Sequence, residues 1–332
     1  MTLSVSLGDP LGISTEAILA DERDSGATGK QNALITSNSR EETLMSLGRI
    51  ARRISLPALL AVVVAAVLLA IAPGRATPAG ASASAAAAGG GHPAKPVIVL
   101  EHGAWADASS WNSVISQLQL LGFTVYAPPN PLRGLPQDSG YLHQFLTQNP
   151  ALQGQPVILV AHSYGGAVAT AAAVGDPNIK ALVYVDAFIP DQGDTVASLI
   201  SGSCVAGNLP DLFNIVPIPG AAGDVDLYLK PSLVPGCFAN GLPASQAAVI
   251  AATQRPLAAS ALAATFGVPA WKTIPSWAVI GTADHVIPVA SQTFMAQRAG
   301  AHITDVNAGH LSLISKPSVV TSVILKAVQA TG

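Results

Sequence analysis

Residues 157–170 read VILVAHSYGGAVAT. A run of β-branched and apolar residues leads into His162-Ser163-Tyr164-Gly165-Gly166, and small residues then continue as a helix would. A buried strand that turns sharply into a helix forces the residue at the turn outward, and the backbone there tolerates only small neighbours. The usual spelling of such a turn is Gly-x-Ser-x-Gly; here Ala161 stands in the first glycine's place. One added methyl group is tolerable wherever the backbone does not need a positive φ. Gly165 and Gly166 let the helix approach the strand, and its N-terminus offers N–H groups to a developing oxyanion. The competing reading of Ser163 is an N-cap in a tight strand–helix junction.

The same alternation extends outward. PVIVLEHG (96–103), FTVYAP (123–128), PVILVAH (156–162), ALVYVDAF (181–188), SWAVIGT (276–282) and HITDVNA (302–308) read as strands. Helical spacing fills Ser109–Leu121, Tyr141–Leu146, the stretch after Ser163, Pro288–Ala299 and the C-terminus. Strands apolar along their whole length, alternating with helices, imply an α/β fold: a mostly parallel sheet with helices on both faces. Functional groups of such sheets gather at the carboxyl ends of the strands. Those ends carry His102-Gly103, Ser163, Asp186, Asp284 and the loop holding His310. The alternation breaks at about 189–273, a Pro-, Gly- and Ala-rich stretch with one helical segment, PASQAAVIAATQ (243–254). An insertion there is expected to cap the carboxyl edge and exclude water.

A serine hydroxyl at neutral pH needs a base, and the base needs an orienting carboxylate. VIGTADHVIP puts Asp284 just past one strand, and VNAGHLSLI puts His310 just past the last. The order Ser163, Asp284, His310 matches the order of this architecture, with Asp186 as the rival acid. His285 reads as a loop residue and His302 as structural; His162 reads as packed, and His143 and His92 are poorly placed. Two N–H donors are expected for the oxyanion, from Tyr164 and from Ala104 in the loop after the first strand. Trp105 is either a substrate-pocket wall or core packing.

Half of the 332 residues are hydrophobic and 11% are charged, with net charge -3 and no basic stripe, so a nucleic-acid partner is not expected. Residues 1–44 have no sustained periodicity and read as a disordered leader, with translation starting at Met45. Arg49, Arg52 and Arg53, an apolar run from Leu56 to Ala72 and an Ala83-Ser84-Ala85 site describe a secretory signal over 45–85. The alternative is a retained membrane anchor facing outside, which would be the chain's only membrane contact. Residues 86–95 are a linker and 96–332 the catalytic domain. Cys204 and Cys237 are the only cysteines, a plausible disulfide in an exported protein or else two buried thiols. No Cys/His cluster has metal-ligand spacing, and neither metal nor cofactor is expected.

With LEHGAWADASSW, VAHSYGGAV, GTADHVIP and AGHLSLISKP in view, the chain from about Pro96 resembles the α/β-hydrolase superfamily. The resemblance is to the compact branch of small esterases, plant methyl-ester hydrolases and hydroxynitrile lyases, in its exported actinobacterial form. It implies Ser163 as nucleophile, Asp284 as acid, His310 as base, and Ala104 and Tyr164 as amide donors. The expected activity is hydrolysis of an uncharged, fairly hydrophobic carboxylic ester through an acyl-enzyme. Alternatives are a lyase, a cofactor-free peroxidase-like enzyme, or a small-molecule binder that kept the fold. Leu311 stands where hydroxynitrile lyases carry lysine, which counts against cyanohydrin cleavage.

Overall fold

The computed structural model describes residues 95–332 other than Ala222. The leader, the signal or anchor segment, the Met45 start and all but the last residue of the linker lie outside the described residues. A six-stranded sheet forms the centre, built from β1 (Val97–Glu101), β2 (Val125–Tyr126), β3 (Val157–His162), β4 (Ile179–Val185), β8 (Ser276–Gly281) and β9 (His302–Val306). Its order is β2-β1-β3-β4-β8-β9, and every neighbouring pair is parallel. Every residue of β1, β3 and β8 is buried, as strands covered on both faces must be.

The covering helices are α1 (Asn112–Leu120), α2 (Leu135–Gln148), α3 (Tyr164–Ala172), α5 (Val289–Arg298) and α6 (Pro317–Thr331). Helix α6 packs on α1 and on β3, β4 and β8, while α2 packs on α3 and α5 on β8 and β9. Helix α2 is longer than the Tyr141–Leu146 core of its apolar spacing. Its start is set by Gly134 at φ 111° and by Pro136 in the first turn, where proline's missing N–H costs nothing.

Register decides where the site forms. Glu101, Ala161, Tyr184 and Ala278 lie in one line across β1, β3, β4 and β8. The loops leaving these strands therefore emerge side by side. The chain runs outward from β1 to β2 and then crosses back to β3, so the winding direction reverses between β1 and β3. That is where such sheets open a crevice.

The stretch between β4 and β8 is not merely loop. It holds an antiparallel sheet of β5 (Phe213–Pro217), β6 (Val225–Leu229) and β7 (Leu257–Ala258), and helix α4 (Ala244–Thr253). Cys204 and Cys237 are joined in a disulfide within it. Closing a loop with a sequence separation of 33 stabilises the folded chain by about 3 to 4 kcal/mol on chain-entropy grounds.

Candidate active site

Ser163 sits at the junction of β3 and α3 with φ 55° and ψ −127°, a conformation that side chains other than glycine rarely adopt. Its side chain caps no helix N–H, which removes the N-cap reading. Ala161 is an ordinary strand residue and not among those with positive φ, so its methyl is accommodated without strain. Both glycines are required by proximity. A Cβ on Gly165 would lie 2.8 Å from the carbonyl oxygens of Glu101 and His102, and one on Gly166 would strike the Phe188 carbonyl and the Ala187 methyl.

The three distant side chains meet. The Ser163 hydroxyl lies 2.9 Å from His310 Nε2, and His310 Nδ1 lies 2.8 Å from Asp284 Oδ2. Asp284 is held on both oxygens: Oδ1 accepts the N–H groups of Val286 (2.7 Å) and Ile287 (3.0 Å), and Oδ2 accepts Gln292 Nε2 (2.8 Å). Sequence reasoning missed Gln292, whose place eight residues on from Asp284 in α5 carries no motif.

Asp186, the rival acid, does not reach the imidazole. Its Oδ1 accepts the Gly281 N–H (2.7 Å) and its Oδ2 the Ser312 N–H (3.0 Å), so it ties the end of β8 to the loop after His310. Burial first, and then the negative charge of Asp284, pushes its carboxyl up to about 7. His162 is packed as expected: its Nε2–H donates to the His310 carbonyl (2.9 Å), and burial holds it well below the usual histidine range. His285 Nδ1–H donates to the Gly236 carbonyl (2.9 Å) and is a loop contact.

The loop after β1 passes directly against the serine. A Cβ on Gly103 would lie 2.6 Å from Ser163 Cβ. His102 fixes this loop: its Nε2 accepts the Asn130 N–H (2.9 Å), so the proton resides on Nδ1 and is donated to the Gly103 carbonyl (2.9 Å). Burial lowers this imidazole to about 4, so it stays neutral. The N–H groups of Ala104, in the loop after β1, and of Tyr164, the first residue of α3, donate to no other described group. The next amide, Trp105 N–H, is already given to the Arg255 carbonyl (3.0 Å).

Trp105 is packed into the core and also borders a cavity. It is buried at φ 56°, its Nε1–H donates to the Leu227 carbonyl (2.8 Å), and it stacks on Phe213 at 5.6 Å. It also meets Phe238 edge-on at 5.8 Å, and Phe238 in turn lies 5.5 Å from the His310 ring. Trp105, Phe238 and Leu311 form one wall of a cavity of about 260 Å³ that runs beneath α4, past Val249 and Ile250. Ser163 is 2% exposed and His310 is fully buried, and neither lines this cavity; Phe238, which does, is the residue that links it to the His310 ring.

One buried acid is used by none of these contacts. Glu101, at the end of β1, is 1% exposed, and its Oε2 has no partner among the described residues. Burial, and then the charge of Asp138, raises its carboxyl well above the ordinary 4.5. Folding therefore favours the protonated carboxyl, whereas the unfolded chain ionises it at its ordinary value. Its contribution is thus fully present below about pH 4.5 and is lost as pH rises toward the folded value. Glu101→Gln is expected to gain thermal stability relative to the parent progressively as pH is raised from about 4.5 in a scan to about pH 8. A melting-temperature difference that stays constant across that range would refute the assignment.

This geometry can be set beside known proteins. A family model described as the alpha/beta hydrolase family matches residues 97–323, well over half the chain. The chain belongs to the α/β hydrolase family. This α/β hydrolase is 33% identical over 116 residues to a carbendazim hydrolyzing esterase of Nocardioides sp. (strain SG-4G), covering 31% of this chain and 46% of that protein. The chain thus spans about half the length of the curated relatives it matches. Among solved structures, it resembles an extracellular α/β-hydrolase from a Paenibacillus species, with TM-score 0.58 and 24% identity over 70% of this chain and 98% of that one. Polyneuridine aldehyde esterase gives TM-score 0.59 at 19% identity, over 70% and 98%. At those identities the structural likeness speaks for the fold alone.

Proposed function

We propose that this α/β hydrolase is an exported serine esterase that cleaves uncharged, hydrophobic carboxylic esters through an acyl-enzyme. The observation that carries the reading is the unbroken chain Ser163 Oγ–His310 Nε2 (2.9 Å) and His310 Nδ1–Asp284 Oδ2 (2.8 Å). Ser163 attacks the ester carbonyl while His310 Nε2 takes its proton, and Asp284 stabilises the imidazolium and fixes its orientation. The free N–H groups of Ala104 and Tyr164 receive the negative oxygen, each such donor being worth about 100- to 1000-fold in rate. His310 returns the proton to the departing alcohol. It then deprotonates a water that attacks the acyl carbon, and the acid leaves with Ser163 restored.

The cavity suits an uncharged ligand with both apolar and hydrogen-bonding parts: Asp107 is the only charged residue lining it, and Trp105, Phe238 and Ile250 share it with Ser109, Asn112 and Gln246. Likeness to a protein described as a carbendazim hydrolyzing esterase supports hydrolysis of an ester. The 189–273 insertion serves as the cap, because its Phe213, Phe238 and Leu227 contact Trp105 and the His310 ring. The Cys204–Cys237 bridge fits the oxidising compartment that the 45–85 signal implies, with a retained outside-facing anchor as the alternative.

The test is turnover of p-nitrophenyl esters of graded acyl length, with mass-spectrometric location of a fluorophosphonate adduct. Turnover and an adduct on Ser163 are expected; absence of both sinks the proposal. Trp105→Ala enlarges the cavity on the side where it meets Phe238. It is expected to raise kcat/KM for long over short acyl chains by about tenfold, and an unchanged chain-length profile would place the acyl group elsewhere.

A further inference from the structure

The loop carrying Asp284 is gripped from two sides by the cap, and the disulfide joins the two sides. From the first, Cys204 N–H donates to the His285 carbonyl (2.9 Å), and the neighbouring Ser203 hydroxyl donates to the Val286 carbonyl. From the second, the Gly236 carbonyl accepts His285 Nδ1–H (2.9 Å), and Asn240 Nδ2 donates to the Ala283 carbonyl (2.7 Å). The second side also bears on the base. Phe238 lies 5.5 Å from the His310 ring, and Gly309 fits so closely beneath Asn240 that a Cβ there would strike its backbone and side chain. Cys204 and Cys237 are the residues at which these two segments are covalently joined.

We propose that the Cys204–Cys237 bridge positions Asp284 against His310 by clamping residues 283–286 between the segments 203–204 and 236–240, so that catalytic competence depends on its oxidation. The inference rests on the triad reading given above. The bridge touches no reacting atom; it acts through the loops that carry them. Opened, it leaves the two segments covalently connected only through the β5–β6 hairpin between them, and four hydrogen bonds to one short loop lose their common anchor. Misplacing a catalytic group by about 1 Å can cost about 100-fold in rate.

The test uses the full chain, oxidised and then treated with dithiothreitol. The reagent gives two electrons and two protons to the bridge and leaves as its own cyclic disulfide. Two readouts are taken: steady-state kinetics on a p-nitrophenyl ester, and the far-downfield proton resonance of the His310–Asp284 hydrogen bond, which needs no turnover. Expected on reduction are a kcat lower by about 10- to 100-fold with KM within about threefold, loss of the resonance, and recovery of both on reoxidation. A lowered melting temperature alone would follow from any lost crosslink and decides nothing between the two roles, so Asn240→Ala, with the bridge intact, is measured beside it. It is expected to weaken the resonance and to lower kcat by several-fold, about three to ten. Unchanged kcat and resonance in reduced, folded protein overturn the proposal, as does a silent Asn240→Ala if the reduced chain unfolds. A redox-dependent resonance in a protein inert toward esters upholds the clamp and overturns the ester reading alone.

Discussion

Ser163→Ala is expected to lower kcat on carboxylic esters by on the order of 10⁵- to 10⁶-fold, with KM within a few-fold of the parent. The size follows from the way the site is built. Ser163, His310 and Asp284 form one hydrogen-bonded chain, so on the proposed reading removing the first member idles the other two. Residual activity above the uncatalysed rate is expected from the Ala104 and Tyr164 amides and from binding, which the substitution leaves in place. The change removes a single oxygen atom from a buried position and keeps the backbone, so the variant should fold as the parent does. Fluorophosphonate labelling at position 163 should vanish with activity. A variant that retains more than about a hundredth of the parent kcat would transfer the nucleophile to another residue.

Asp284→Asn is expected to cost about 10⁴-fold in kcat, and the surrounding donors explain why. Oδ1 already receives two backbone N–H groups, and Oδ2 receives Gln292 Nε2 as well as facing His310 Nδ1. An asparagine amide must aim its own N–H at one of these donor sets. Turned toward Val286 and Ile287, it opposes two N–H groups; turned toward His310, it forces the proton onto Nε2, where the imidazole can no longer accept from Ser163. Asp186→Asn tests the rival. Its oxygens accept the Gly281 and Ser312 amides and not the imidazole, so a loss of about tenfold or less is expected, through loop placement. Equal losses for the two variants, or a larger one for Asp186→Asn, would reverse the acid assignment.

That choice shows how far the amino-acid sequence could be read. The strands of the parallel sheet other than the edge strand β9 were legible because each is a short apolar run with a turn signal after it, and the placement of Ser163 and Asp284 at strand ends followed from them. Asp186 and Asp284 look alike in sequence, each ending a strand. Only the register of β4 and β8 and the path of the last loop direct one carboxylate to His310 and the other to backbone amides. The small sheet of the insertion was not legible. Its strands alternate poorly, with Asn214, Pro217 and Asp226 inside them and glycines at 220 and 223 between β5 and β6. Phe213, Phe238 and Gln292 are likewise unmarked residues whose importance comes from what lies opposite them in space.

The backbone at position 163 has a consequence for engineering. A serine at φ 55° and ψ −127° is held in a region where glycine is at ease, at a cost of about 1 to 3 kcal/mol. Selection for thermal robustness alone would therefore drift toward glycine there and arrive at a sturdier but inert protein. Any campaign to harden this scaffold has to screen for turnover at every round.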